Sequence, residues 1–114
     1  MQGPQADQEI AGADMVYYNN RSAAPAFIRL RPEAHIEAKQ GEAWLRGVLG
    51  MRAEDDFRLL ESFDDQLGMQ HFRLQQTYKG LPVEGSMYII HTRNGKVVSV
   101  NGEYYPNLEM DVNP

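Results

Sequence analysis

The chain has 114 residues, a net charge of −5 and no cysteine. That length suits a single domain burying about two-thirds of its unfolded surface, enough for one modest core without staples. The scattered Lys and Arg disfavour a footprint on nucleic acid or an anionic membrane, and the missing thiols remove disulfide frameworks, thiolate zinc sites and cysteine nucleophiles together. No apolar run reaches the ~18 residues of a membrane span, and Met1 to Gly12 is too polar for the apolar core of a signal peptide.

Residues 1–24 read as a flexible N-terminal arm of Gln, Ala, Gly, Asp and Asn, with one apolar island, Met15-Val16-Tyr17-Tyr18, that docks on the body. Ala26 to Leu30 alternates at Ile28 and Leu30, the pattern of a strand or an extended lead-in. Pro32 then sits where helices favour proline, and Ala34, Ala38, Gly41, Leu45, Val48 and Leu49 recur at three-and-four spacing. The expectation is one helix from Glu33 to about Gly50, with Gly41 as a close-approach point against a sheet.

Beyond a polar connector the period falls to two. Phe57 to Phe63 reads as a strand, Asp64 to Gly68 as a turn, and Met69 to Tyr78 as a longer strand. In that strand Phe72, Leu74 and Tyr78 share one side, and His71, Arg73, Gln75 and Thr77 the other; Gln76 falls on the apolar side unless a bulge intervenes. Lys79 to Pro82 breaks the run, and Val83 to Arg93 resumes it. Asn94-Gly95 is the strongest local signal, because a two-residue type I′ turn needs positive φ at both positions. A regular hairpin then sets Arg93 opposite Lys96, Thr92 opposite Val97, His91 opposite Val98, Ile90 opposite Ser99 and Ile89 opposite Val100. On that register Ile89, Val98 and Val100 form the helix-covered face. The predicted architecture is α+β: one helix packed on a four-stranded antiparallel sheet, helix then strand meander, with a cystatin-like shape.

The sequence offers no catalytic constellation. No histidine pair with an intervening glutamate stands one helical turn apart. His35-Ile36-Glu37 lacks the cysteines a deaminase zinc site needs, and His71 and His91 have no third ligand. Asp55-Asp56 and Asp64-Asp65 lack the recurring oxygen ligands of a calcium loop. Ser62, Ser86 and Ser99 lack a nucleophile-elbow context, and no glycine loop cradles phosphate at a helix start. No catalytic, cofactor-binding or metal residue is assigned, and no cofactor or small-molecule substrate is expected.

The spacing of Asp65, Gly68, His71, Arg73, Gln76, Gly80, Pro82, Val83 and Gly85, then His91, Gly95, Val97 and Gly102, resembles the FTP motif of fungalysin and thermolysin propeptides. The resemblance covers about residues 57–103. It implies a non-catalytic domain of secreted or periplasmic metalloprotease precursors that helps the catalytic domain fold and inhibits it, in cis or in trans. On that basis residues 25–105 are read as the FTP-like domain and 106–114 as a C-terminal linker or the end of an excised segment. Asp65, Gly68, Gln76, Gly80, Pro82, Gly85, Asn94, Gly95 and Gly102 are assigned structural roles, many of them through turn geometry. His71, Arg73, Gln75 and Thr77 are the candidate contacts with a protease domain. The alternative is a stand-alone FTP-like inhibitor or interaction module acting on a different protein or on a cell-envelope component.

Overall fold

A computed structural model describes residues 1–20 and 23–105; the linker expected at 106–114 lies outside the described residues. Two helices, α1 (Gly3–Glu9) and α2 (Gly41–Leu49), accompany six strands: β1 (Ala13–Tyr18), β2 (Pro25–Leu30), β3 (Asp55–Asp64), β4 (Met69–Tyr78), β5 (Leu81–Arg93) and β6 (Lys96–Gly102). The strands form one antiparallel sheet in the order β1-β2-β6-β5-β4-β3. This corrects the expected four-stranded sheet with a single helix. The segment read as an arm contributes α1 and β1, because Ala6, Ile10, Ala13 and Val16 carry apolar surface into the core. The short run at residues 25–30 is a full strand between β1 and β6.

The expected long helix is also corrected. Pro32–Ala34 makes only a 3-10 turn, which ends at His35 in the left-handed region (φ 54°, ψ 42°). The chain then pairs with the β5–β6 hairpin: the Ala38 amide donates to the Gly95 carbonyl and the Val97 amide to the Ile36 carbonyl, each at 2.8 Å. Those bonds compete with helix continuation and win, so α2 starts only at Gly41. Gly41 itself is the close-approach point, since an added Cβ would lie 3.0 Å from Val97 Cγ2. Leu45 is fully buried, with Trp44, Val48 and Leu49 packed around the core.

The hairpin turn forms as expected, with φ of 52° at Asn94 and 76° at Gly95. Arg93 faces Lys96 and Thr92 faces Val97, but a bulge then sets His91 opposite Ser99, Ile90 opposite Val100 and Ile89 opposite Asn101. The extra residue, Val98, inverts the two faces. Ile90, Val97 and Val100 are the buried set, and Ile89 and Val98 are only partly covered. A second bulge lies between Gln75 and Thr77 in the β4–β5 pairing, and a third at Leu60 in the β3–β4 pairing.

The core lies between the helix side of the sheet and α1 and α2, around Ile28, Leu45, Tyr88, Ile90, Val100 and Tyr104. Gly102 permits the closest strand contact: a Cβ there would stand 2.1 Å from the Met87 carbonyl oxygen. No helix among the described residues is long and apolar enough to cross a membrane.

Candidate functional site: the open sheet face

Alternation along each strand sends one set of side chains to the helices and the other to the opposite face. Cross-strand register organises that second set into rows. One runs Glu61, Arg73, Ile89, Asn101, Phe27, Tyr17; the next runs Phe63, His71, His91, Ser99, Arg29, Met15. Tyr17 and Phe63 are exposed, and His71, Arg73 and His91 are half-buried.

The second row carries a hydrogen-bonded chain that sequence spacing only hinted at. His71 Nε2 lies 2.8 Å from Asp65 Oδ2, His71 Nδ1 lies 2.6 Å from His91 Nδ1, and His91 Nε2 lies 2.5 Å from Asn101 Oδ1. Asp65 also accepts the amides of Leu67 (2.8 Å) and Met69 (3.0 Å), which closes the β3–β4 turn. The hydrogen bond from His71, with those two amides, holds the Asp65 carboxyl below the usual carboxylate range. A contact between two Nδ1 atoms requires one hydrogen between them, so the two rings hold each other in a fixed orientation. The Phe63 ring lies on His71 at 4.9 Å between centroids.

The four candidate contacts divide. His71 and Arg73 lie on the open face, with Arg73 Nε 3.5 Å from Glu61 Oε1. Gln75 instead serves the bulge: its amide donates to the carbonyls of Gln76 (3.0 Å), Val83 (2.8 Å) and Ser86 (2.8 Å). Thr77 is only 5 % exposed, with Oγ1 facing the Asp56 carbonyl at 3.5 Å. The bulge thus ties up the Gln75 amide and disrupts simple alternation beyond it, which leaves Thr77 buried.

A second network, absent from the sequence reading, closes the opposite end of the sheet. Asp55, fully buried, accepts from Arg52 Nε (3.0 Å), the Arg52 amide (3.1 Å), Tyr104 Oη (2.7 Å) and Gln76 Nε2 (3.3 Å). Burial pushes its carboxyl pKa up, but the hydrogen bonds from Arg52 and Tyr104 outweigh that and leave it below the ordinary value. Gln76 Oε1 accepts from Ser86 Oγ and from the Tyr105 amide at 3.2 Å. Gln76 therefore belongs to the fold and not to a binding surface. The Asp55-Asp56 doublet was visible, but only the register reveals that the first carboxylate points inward.

Beside β4, strand β3 forms one edge of the sheet. From Arg58 to Asp64 all its side chains are exposed, including Leu59, Leu60 and Phe63, and Leu67 in the following turn is 77 % exposed. Among the described residues no group of three or more His, Asp or Glu is placed to hold a metal ion.

The structure is thus a helix-backed antiparallel sheet with one open face of mixed polar and aromatic side chains and an edge at β3. Residues 55–104 match the fungalysin/thermolysin propeptide motif (FTP). Over 61 residues, 54 % of the chain, it is 36 % identical to the thermostable neutral protease NprT of Geobacillus stearothermophilus and 34 % identical to thermolysin of Alicyclobacillus acidocaldarius subsp. acidocaldarius. It is 28 % identical over 78 residues, 67 % of the chain, to bacillolysin of Brevibacillus brevis. The matched segments span 11 %, 11 % and 14 % of those proteins.

Proposed function

We propose that the chain acts as a non-catalytic pro-region domain that docks on the catalytic domain of a secreted or periplasmic thermolysin-like zinc metalloprotease, helping it fold and holding it inactive. The supporting observation is a coincidence of place. The segment matching the propeptide motif is the set of four strands that present both the helix-free polar face and the free β3 edge. Arg73 and His71 supply polar contacts, Phe63 an aromatic one, and the β3 backbone hydrogen-bonding groups at the edge. Gln75 and Thr77 act one step back by shaping the bulge that aims β4.

Adding the chain to a thermolysin-like catalytic domain of the same source should slow proteolysis or raise the refolding yield. No change in either at saturating concentration overturns the proposal. Arg73→Ala should weaken that effect while altering stability by no more than about 0.5 kcal/mol.

A further inference from the structure

A cleft of ≈ 580 Å³ lies at the β5–β6 hairpin tip, away from the open-face contacts, lined by Leu30, Arg31, Pro32, His35, Arg93, Asn94, Lys96, Val97 and Val98. Its charge runs against that of the molecule. Arg93 and Lys96 are direct cross-strand partners across the tight turn, a like-charge pair that opposes hairpin pairing. Among the described residues no carboxylate lies within ion-pair distance of either: Arg31 is taken by Asp7 at 2.7 Å and Glu37 by Lys39 at 3.5 Å. The contact made by Lys96 Nζ is with His35 Nδ1, at 3.1 Å. His35 reaches it from a left-handed backbone, a conformation that non-glycine residues seldom adopt and that can mark a functional constraint. Beneath these polar groups the floor is apolar, with Leu30 and Val97 buried and Pro32 and Val98 beside them.

We propose that this cleft binds an acidic peptide segment of a partner protein. A Glu or Asp carboxylate would take the Arg93 guanidinium fork and the Lys96 ammonium, and the neighbouring aliphatic side chain would cover Pro32 and Val98 above buried Leu30 and Val97. The combination selects the ligand. A simple anion makes no use of the apolar floor, and a nucleic-acid strand finds no Phe, Tyr or Trp in the lining and meets a chain of net charge −5. That same net charge repels an acidic partner elsewhere, so the cleft also sets its orientation. The inference stands apart from the protease reading, which rests on the open face and the β3 edge.

The test is a ¹H–¹⁵N NMR titration of the full chain at pH 7 with three probes: acetyl-Leu-Glu-Leu-Glu-Leu-amide, its glutamine counterpart, and inorganic phosphate. Saturable shifts of the His35, Asn94, Gly95 and Lys96 amides with the acidic peptide alone are expected. The double variant R93A/K96A, exposed at both positions, should lower the affinity at least tenfold and leave distant amides unmoved. Equal shifts with the glutamine peptide or with phosphate, shifts centred elsewhere, or no saturable shift by millimolar peptide each overturn the assignment.

Discussion

Asp55 shows how one side chain can anchor several elements at once. It joins the connector after α2 through Arg52, the central sheet through Gln76 and the end of the described chain through Tyr104. Asp55→Ala strands donors from three residues around a buried site, and a loss of about 3 kcal/mol is expected, read as a lower urea midpoint. Gly102→Ala tests packing instead of polarity. The atom its Cβ would strike is a backbone carbonyl that no rotamer change can remove, so a comparable loss of about 3 kcal/mol is expected. For Asp65 the sign of the pH effect follows from its lowered pKa: the unfolded carboxyl titrates near about 3.9 and the folded one below that. Its stabilisation is complete above the unfolded value and disappears as pH falls through the folded one. Asp65→Asn should therefore be less stable than the parent at pH 6, and the gap should close towards pH 2 in urea melts.

At the scale of elements, the β5–β6 hairpin depends on the handedness of its turn. Gly95→Ala places a Cβ on a residue at φ 76° and should cost about 1–2 kcal/mol, measured by thermal unfolding. This turn was legible because Asn-Gly has a local steric cause. Strand β4 was legible for the same kind of reason, its period of two holding from His71 to Gln75 before the bulge. The bulge at Val98 was not legible. Val97, Val98, Ser99 and Val100 suit either register, and only packing against Gly41 and Leu45 decides that Ile90 and Val100 face inward. The helix was overextended because Ala34 and Ala38 have the right spacing, while the hydrogen bonds that divert residues 36–38 come from a hairpin sixty residues away. In the candidate site, His71 and Arg73 followed from simple alternation, but the tying of Gln75 to backbone carbonyls and the burial of Thr77 depend on a bulge with no sequence signature. The partnerships of His71 with Asp65 and of His91 with Asn101 required three-dimensional register.

For the molecule as a whole, the two N-terminal strands change what the sheet can do. Without residues 1–18, β2 would become an edge and Ile10 and Val16 would be lost from the core, an apolar burial of about 4 kcal/mol. A chain starting at Ala23 should show a lower urea midpoint and, with an uncovered β2, a concentration-dependent tendency to associate that light scattering detects. The free β3 edge is guarded differently, by the Leu60 bulge and by Arg58, Glu61 and Asp64 along its length. That protection limits indiscriminate strand pairing.

The position of β6 has a consequence in time. Ile28 meets Val100 about seventy residues further along the chain, so β1 and β2 wait for the last strand before they can join the sheet. The β3–β4–β5–β6 meander can assemble from sequence neighbours, whereas docking of the N-terminal hairpin closes the longest loop and should come late. Of the six strands, the two synthesised earliest would therefore be the last to find their place in the sheet.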